Sequence, residues 1–555
     1  MMRWLRPHLA IGLLVVAPYG WGSDHWPDRL VLGGAEPRLW TPPSTTAQPV
    51  PSELQTPLGS LWKLFVYGYL QANGQQEPPL RCTGQDPEQE QYCCDPGESV
   101  DRDEALIRSC GLYFAPERLG IHAADWRSYW QQRQAPEWLQ ELSHLQPQQR
   151  VSVSSLLAAL SVVPAAVQQR SREVLTGVVL HGRGKEAAGS LGTLLGAKTY
   201  TQATNEWGLV GGGAGWSDNG TPLWFGGQGG SSSVLTRMAP AIAHQLQQEP
   251  QPDGSSCVQV RYFARYPLAQ ITRPHGAETS AGPLVGSYQL AFANGQQLAW
   301  QAEPGHFWLE QTAQGSPVIW GRFAEPEYVA RVVDREGDAR YPQAARALAI
   351  AARSYLQQQA SHQGDCLQLD DSSRFQRVSP HAPSPAALNA ARSTDRLTLH
   401  GIEVQYHSDK PQANRLSWQQ AVDWDRAGLD FTAILARAYP AATLTLGDSQ
   451  QAADCPRLAD AQSWLQHQAT RWQARLQGEP GFEPPAQPLS VCLLPQGRPY
   501  ADKQAQRIYV RPNPSLDGRI ALTHEYLHLA FAHHPHGEDE AYIEDLARRL
   551  VRGEP

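Results

Sequence analysis

The chain of 555 residues contains very little lysine: five of its 46 basic residues are lysines and the other 41 are arginines. A lysine inside a motif therefore seldom stands there by chance. The chain also lacks an excess of positive charge, since its net charge is −8, which excludes the basic surface typical of a nucleic-acid-binding protein. Beyond its first 22 residues it has no apolar run near the roughly 20 residues that a membrane-spanning helix needs. With 41% hydrophobic residues, it is long enough for about three globular domains.

The N-terminal segment predicts export. Arg3 and Arg6 precede an apolar run at 9–17, and Pro18 ends that run, a pattern that indicates a signal peptide over residues 1–22. All eight cysteines follow it, and an even number in an oxidising compartment is compatible with up to four disulfides. The absence of a CxxC pair favours disulfides over a cysteine metal site. We therefore expect a soluble protein of the bacterial periplasm that is not membrane-spanning after signal removal.

Segments rich in glycine, serine, proline and glutamine divide the chain. They lie at 229–233, 249–256 and 478–488. We predict three domains of mixed α/β and α+β class, over 24–245, 255–450 and 451–555. Residues 258–263 alternate as a strand does, and the alanine-rich run 342–356 begins with a proline, as a helix often does.

A serine is followed by a lysine one helical turn later in the first domain. Ser60 and Lys63 precede the apolar run 64–70, and residues three apart share one face of a helix. A serine beside a neutral lysine at a helix N-terminus is activated as a nucleophile, and the backbone N–H groups there stabilise an oxyanion. The motif predicts covalent catalysis by Ser60 with Lys63 as its base.

Two later motifs extend this pattern into a family resemblance. Ser109-Cys110-Gly111 and Lys198-Thr199-Tyr200 follow in order, and over about 200 residues the domain resembles penicillin-binding transpeptidases and serine β-lactamases. The resemblance implies that fold, with catalytic roles for Ser109 and Lys198. Gly111 stands where that family has asparagine, and Tyr200 stands where it has glycine, so a ring is expected to fill the cleft. A serine acyl-enzyme and a degenerate peptide-binding unit both remain open.

The second domain carries an acidic residue in a coherent pattern. Glu327-Tyr328-Val329-Ala330-Arg331-Val332-Val333-Asp334-Arg335-Glu336 precedes an alanine-rich segment ending at Tyr355. This pattern, with Val404 to Ser408 downstream, resembles the sporulation stage II protein D family of peptidoglycan lytic transglycosylases. The resemblance implies an α+β domain in which Glu336 is the catalytic acid that protonates the glycosidic oxygen. The family's glycine pair is replaced by Asp409-Lys410-Pro411.

The third domain contains a zinc-peptidase motif. His524-Glu525-Tyr526-Leu527-His528 places two imidazoles on one helix face, where both can bind Zn²⁺, and its glutamate can activate a water. Residues 520–522 and 529–531 are apolar, as in a buried helix, and residues 507–510 are predicted to form a neighbouring strand. The context of Glu544 resembles the second zinc helix of gluzincin metallopeptidases, which implies a small α+β zincin-like domain with Glu544 as third ligand. Glu540 and His534 remain alternatives.

The motifs of the three predicted domains are all compatible with action on peptidoglycan. We predict an exported multidomain enzyme that processes peptidoglycan, with glycan cleavage by Glu336, an accessory serine centre that acts on stem peptides, and a zinc peptidase unit. The alternative is an envelope metalloprotease or scaffold whose first domain only binds peptidoglycan, and penicillin hydrolysis is the third possibility. Envelope proteins are further candidate partners.

Overall fold

The computed structural model describes residues 26–75, 77–250, 257–312, 315–363, 366–408, 410, 415–446, 455, 458–485, 489–494, 499–503, 506–511 and 515–553. The expected signal peptide, most of the segment at 249–256, and Asp409 and Pro411 therefore lie outside the described residues. Within the described residues, no helix is both long and apolar enough to cross a membrane.

The first unit is built on a six-stranded antiparallel sheet with helices on both faces. Its strands are β1 Arg29–Leu32, β2 Arg38–Trp40, β3 Gln48–Pro49, β4 Gln55–Pro57, β5 Leu80–Arg81, β6 Ser99–Val100, β7 Arg150–Ser152, β8 Leu195–Thr204, β9 Gly208–Ser217 and β10 Pro222–Gln228. The main sheet has the order β3-β2-β1-β10-β9-β8, while β4 pairs with β7 and β5 with β6.

The helices of this unit lie in two layers around that sheet. They are α1 Trp62–Ala72, α2 Pro87–Glu90, α3 Arg102–Arg108, α4 Pro116–Leu119, α5 Ala123–Gln132, α6 Glu137–Gln140, α7 Val153–Ser161, α8 Ala165–Leu180, α9 Ala188–Leu191 and α10 Ser231–Gln247. One buried cluster lies between α1, α5, α7, α8 and the sheet, and a second lies between α10 and the opposite face. The expected joint at 229–233 is wrong, because α10 begins at Ser231 and packs directly on the sheet that β10 ends.

The second unit packs helices against a seven-stranded sheet. Its strands are β11 Cys257–Tyr262, β12 Leu268–Thr272, β13 Gly282–Phe292, β14 Gln297–Gln311, β15 Pro317–Ala324, β16 Ser361–Gln363, β17 Cys366–Asp370, β18 Leu397–His400, β19 Gln405–Ser408, β20 Arg415–Ser417 and β21 Thr443–Leu446. Its helices are α11 Glu325–Glu336, α12 Pro342–Gln359, α13 Pro385–Arg392, α14 Trp418–Arg426 and α15 Phe431–Ala438. The sheet order is β12-β13-β14-β15-β11-β17-β16, and only β11 and β17 pair in parallel within it. The predicted strand at 258–263 and helix at 342–356 are thus β11 and α12, each within a few residues.

The third unit is small and mixed. It comprises α16 Ala459–Leu476, β22 Ser490–Leu493, β23 Tyr500–Asp502, β24 Arg507–Val510, α17 Leu516–Ala530 and α18 Glu540–Arg552. The strands form a sheet in the order β22-β24-β23, and a core of apolar side chains joins them to all three helices. The predicted strand at 507–510 is β24, and the predicted buried helix is α17.

The eight cysteines form four disulfides, as the even count predicted. The pairs are Cys82–Cys94, Cys93–Cys110, Cys257–Cys366 and Cys455–Cys492. The first closes the segment that carries α2, and the second ties this segment to Cys110, just after the end of α3. The disulfide at Cys110 therefore lies next to Ser109, one of the predicted motif residues of the first unit.

Polar contacts join the first two units. Arg392 donates to both carboxylate oxygens of Asp218 at 2.6 and 3.0 Å, and Thr193 N donates to the carbonyl of Ser393 at 2.9 Å. Gly192 adopts φ of 50° there, and a Cβ on it would lie 1.8 Å from the Ser393 oxygen. Only glycine permits this approach. The two units therefore meet through matched charges and close backbone contact.

Candidate functional site

Ser60 lies in a single 3-10 turn, Gly59–Leu61, that leads directly into α1. Lys63, in the first turn of α1, is only 7% exposed. Its Nζ lies 3.2 Å from Ser60 Oγ and donates a hydrogen bond to it. Ser60 and Lys63 therefore lie on the same face, as the spacing predicted. The N–H groups on either side of Ser60 are already bonded, Gly59 N to the Pro147 carbonyl at 2.9 Å and Leu61 N to the Leu58 carbonyl at 2.8 Å, so an oxyanion here would be bound by the N–H of Ser60 itself.

Ser109 reaches the same lysine from a distant part of the chain. It ends α3 in the left-handed conformation, with φ of 71°. Lys63 Nζ donates to the Ser109 carbonyl at 2.6 Å and to its Oγ at 3.2 Å. The next residue, Cys110, is bonded to Cys93, so a disulfide holds the end of α3 in place. The structure thus brings Ser60, Lys63 and Ser109 into one hydrogen-bonded group.

Both motif lysines are buried, and burial disfavours their charged forms. Burial lowers the pKa of Lys63 from 10.5 to about 8. Lys198 is fully buried on β8, and burial, followed by the nearby charges of Lys63 and Arg183, lowers its pKa well below the usual value. Its Nζ donates to the Thr199 carbonyl at 3.1 Å. A neutral amine, which can accept the Ser60 proton, is thereby accessible near physiological pH.

The two departures from the family pattern have different consequences. A Cβ on Gly111 would lie 3.9 Å from both Cε and Nζ of Lys63, so the missing side chain would stand beside the lysine. Tyr200 does not fill the cleft as expected, because it is only 1% exposed and packs in the core of the first unit. Its hydroxyl hydrogen-bonds with Thr56 Oγ1 at 2.8 Å. Space for its ring comes from Gly59, where a Cβ would lie 2.7 Å from the tyrosine Cβ.

Glu336 is the last residue of α11 and is half-buried. Its Oε1 accepts the backbone N–H of Arg377 at 2.7 Å, which holds the carboxylate against the loop that follows β17. Arg353, in the alanine-rich helix, is fully buried and donates to Glu325 at 2.8 Å and to the Thr394 carbonyl at 2.6 Å. Arg353 is therefore a structural residue, while Glu336 remains the candidate acid.

The two histidines of the third unit converge. His524 and His528 lie one turn apart on α17, and their Nε2 atoms are 3.0 Å apart. Glu540, at the start of α18, places carboxylate oxygens 3.2 Å from His524 Nε2 and 3.5 Å from His528 Nε2. These three side chains meet the spacing of a metal-binding group.

The outer nitrogens of both rings are engaged elsewhere. His524 Nδ1 donates to Glu544 at 3.0 Å, and His528 Nδ1 donates to the Gly537 carbonyl at 2.9 Å. Glu544 therefore lies on the side of His524 away from the paired nitrogens. The other alternative, His534, accepts the backbone N–H of His536 at its own Nδ1 at 3.2 Å. Of the three residues weighed as third ligand, Glu540 alone faces both Nε2 atoms.

Glu525 points into the buried side of α17. Burial, strengthened by the negative charges of Glu540 and Glu403 against the opposing effect of His524, raises its pKa to about 8. Glu403 belongs to the second unit, so the second unit contributes to the electrostatics of this site. The sequence provided no signal for this contact or for the Gly537 carbonyl, because both depend on packing between elements.

A further cluster was not anticipated from the sequence. Glu303, His306 and Glu327 come from β14 and α11, and their ligand atoms lie close enough for a metal ion. Arg331, however, is fully buried and donates to Glu303 at 2.8 Å and to Glu327 at 2.7 Å. Because Arg331 pairs with both carboxylates, this cluster is at least in part an ion-pair network that anchors β14 to α11.

Comparisons with known proteins identify relatives of the whole chain. The family described as "Predicted secreted protein (DUF2300)" matches residues 84–199 and 414–536. The "Uncharacterized protein YfaQ" of Escherichia coli (strain K12) is 40% identical over 557 residues, which cover 99% of this chain and 100% of that protein. The match therefore extends over all three units.

Solved structures resemble part of the chain. The class A β-lactamase described as the last common ancestor of Gram-negative bacteria (GNCA4) is 13% identical, covering 40% of this chain and 94% of its own, with a TM-score of 0.26. Penicillin-binding protein 5 from Haemophilus influenzae is 11% identical, covering 50% and 96%, with a TM-score of 0.26. What the site catalyses must be argued from its own geometry.

Proposed function

The chain belongs to the family of predicted secreted proteins named DUF2300, and from this premise we propose that it is an exported cell-envelope enzyme that forms an acyl-enzyme at Ser60. The observation that carries the proposal is the position of Lys63 Nζ, 3.2 Å from the hydroxyls of both Ser60 and Ser109. A buried lysine with a pKa of about 8 is matched to accept a serine proton near neutral pH.

The chemistry follows from this arrangement. Neutral Lys63 accepts the hydroxyl proton of Ser60 as Oγ attacks the substrate carbonyl, and the backbone N–H of Ser60 stabilises the negative oxygen. Ser109, hydrogen-bonded to the lysine, passes a proton to the leaving nitrogen as the C–N bond breaks. Water or an amine then takes the acyl group from Ser60, and the proton returns through the same groups.

Peptides of peptidoglycan are the proposed substrate class. Export places the enzyme in the compartment where such peptides are found, and the sequence pattern of the second unit resembles that of enzymes acting on the glycan of the same polymer. In this proposal Glu336 protonates the glycosidic oxygen, and the 6-hydroxyl of muramic acid attacks the anomeric carbon, so that a second carboxylate is not needed. Wild-type protein, but not Glu336→Gln, should release anhydro-muropeptides from purified sacculi.

A fluorescent penicillin tests the serine centre. The wild type should acquire one covalent label on the peptide that contains Ser60, while Ser60→Ala and Lys63→Gln should acquire none. Ser44→Ala, which alters an exposed serine of the same unit, is the matched control and should be labelled like the wild type. An unlabelled wild type, under conditions that label a penicillin-binding control protein, refutes the proposal.

A second candidate activity is zinc-dependent peptide hydrolysis in the third unit. Both Nδ1 atoms donate to acceptors that carry no hydrogen, so each neutral ring presents a lone pair at Nε2. Two such lone pairs 3.0 Å apart, with a carboxylate beside them, are arranged to share a cation. This donor set fits Zn²⁺, for which partners that orient the imidazoles are usual.

We accordingly propose His524, His528 and Glu540 as the ligands, with Glu544 and the Gly537 carbonyl orienting the two rings. A bound zinc ion would supply a Lewis acid that polarises a peptide carbonyl. The charge of the ion beside it would favour the ionised form of Glu525, which would then accept the proton of the attacking water. If the protein is instead an envelope metalloprotease, this unit cuts envelope proteins while the first unit only binds peptidoglycan. Cleavage of envelope proteins that stops when a chelator is added would favour this alternative.

Metal analysis distinguishes the ligands. After dialysis against zinc, the wild type should retain about one ion per chain, whereas His528→Ala and Glu540→Ala should retain far less. Glu544→Ala should retain zinc with affinity reduced about 10- to 100-fold, the effect of losing an orienting partner. Equal zinc in the wild type and His528→Ala would reject the site.

A further inference from the structure

A cavity of about 630 Å³ lies beside the serine centre, on the other side of the end of α3. One wall is the segment held by the two disulfides of the first unit, with Tyr92 and Cys93, together with the last turn of α3. The opposite wall is the turn after α8, with Arg183 and Lys185. A volume of this size suits a ligand of several amino acids.

The two walls differ in how their charges are paired. On the α3 wall, Arg108 is bonded to Glu104, and Glu90 accepts N–H groups from Thr83 and Gly84 at 2.9 and 2.7 Å. Asp95 also lines this wall, so its one arginine, Arg108, stands among three carboxylates.

The opposite wall presents positive charge. Arg183 and Lys185 are exposed there, and in the part of the chain that the structure describes no carboxylate lies within 4.0 Å of either. Arg183 instead stacks across the cavity on the Tyr92 ring, with 4.4 Å between the guanidinium carbon and the ring centroid. Two cations of this kind attract an anion.

The cavity is coupled to the serine centre by structure and by charge. Ser109 caps the helix whose last turn lines the cavity, and Cys110 is bonded to Cys93 in its wall. The charge of Arg183 is also felt at Lys198. The cavity and the serine centre therefore share the end of α3 and the disulfide that fixes it. Lys185, one of only five lysines in the chain, thereby acquires a role.

We propose that this cavity is a subsite for a carboxylate of an acidic peptide, and that Arg183 and Lys185 bind this group while Ser60 engages the carbonyl to be attacked. The inference rests on the proposed function, since it assigns the substrate's charge to that same centre. Tyr92 supports the site by holding the guanidinium over its ring.

Binding to an inactive variant tests the subsite without turnover. Ser60→Ala is titrated with the fluorescein-labelled pentapeptide L-Ala-γ-D-Glu-L-Lys-D-Ala-D-Ala, and with the same peptide in which every carboxylate is an amide. Two exposed ion pairs predict about tenfold tighter binding of the free acid, a preference that falls as salt is raised. In the Ser60→Ala background, Arg183→Gln together with Lys185→Gln should remove the preference for the free acid. Arg183→Gln together with Lys185→Arg keeps one positive charge and should retain part of it.

Lys410→Gln is the matched control, because it removes an exposed lysine of another unit, and it should retain the tenfold preference. Equal binding of acid and amide, or a preference that survives loss of both cations, overturns the inference. Penicillin labelling of wild-type Ser60 tests the proposed function separately. A labelled serine without a carboxylate preference removes only the subsite, whereas a preference without labelling removes only the catalytic role.

Discussion

The pH dependence of acylation at Ser60 tests the serine–lysine pair directly. Burial lowers the pKa of Lys63 to about 8, and only its neutral form can accept the hydroxyl proton. The neutral fraction is then about 1% at pH 6, about 9% at pH 7 and about half at pH 8. A lysine with the ordinary pKa would be neutral in only about 0.3% of molecules at pH 8, so burial is worth roughly 150-fold there.

The assay is the second-order rate constant for labelling by a fluorescent penicillin between pH 6 and 9.5 at constant ionic strength. We expect about a 50-fold rise from pH 6 to pH 8 and a level rate above pH 9. The exposed-lysine variant Lys410→Gln should show the same profile. A rate that changes less than about threefold between pH 6 and 8, or one that continues to rise toward pH 10.5, would refute the reasoning.

The lowered pKa of Lys63 favours catalysis, but the burial that causes it reduces the stability of the folded protein. Between pH 8 and 10.5 the unfolded chain holds a proton on Lys63 that the folded chain does not, so stability rises with pH across this window. Below pH 8 the full cost applies, about 3 kcal/mol as an upper bound. Lys63→Met should therefore abolish labelling yet raise the free energy of unfolding of this unit at pH 7 by about 1–3 kcal/mol, since it also loses hydrogen bonds. A variant that is less stable than the wild type at pH 7 contradicts this.

Three further substitutions test the structural account. Arg353→Met leaves buried acceptors without their donor and should lower the free energy of unfolding of the second unit by about 3–5 kcal/mol in urea. Replacing Cys93 and Cys110 together by alanine should cost about 3 kcal/mol, because the bond joins residues 17 apart, and should slow acylation by releasing Ser109. Tyr200→Phe removes a buried hydroxyl and should cost about 1–2 kcal/mol in the same unfolding assay while penicillin labelling stays unchanged.

Each of these has a clear contrary result. An Arg353→Met protein as stable as the wild type would mean that the guanidinium is not needed to satisfy its acceptors. Unchanged acylation in the double cysteine variant would mean that the disulfide does not position Ser109. Loss of labelling in Tyr200→Phe would place that hydroxyl in the catalytic centre rather than in the core.

Motifs contained within one helix were accessible from the sequence. Ser60 with Lys63, and His524 with His528, are three and four residues apart, and helix geometry alone brings such residues onto one face. The rarity of lysine added weight to Lys63 because the composition made a chance occurrence uncommon. The even number of cysteines in an exported chain likewise predicted disulfides without indicating every pairing.

The tertiary structure decided the partners of these local motifs. Ser109 meets Lys63 from 46 residues away, and Glu540 rather than Glu544 faces the paired histidine nitrogens, although one helix carries both glutamates. The orientation of α18 against α17 selects between them, and sequence spacing does not encode that angle. Tyr200 was expected in a cleft but lies in the core, because the packing of β8 against neighbouring elements sets where its ring lies.

Sequence by itself therefore determined export, the disulfide chemistry and the residue pairs that a single helix presents. Only the tertiary structure decided which distant groups complete each centre, that Arg331 pairs with both Glu303 and Glu327, and that Arg183 and Lys185 share a cavity wall. The physical reason is range. Helix period and compartment act on neighbouring residues or on the chain as a whole, whereas burial and the pKa of Lys63 arise from packing between elements far apart in the chain.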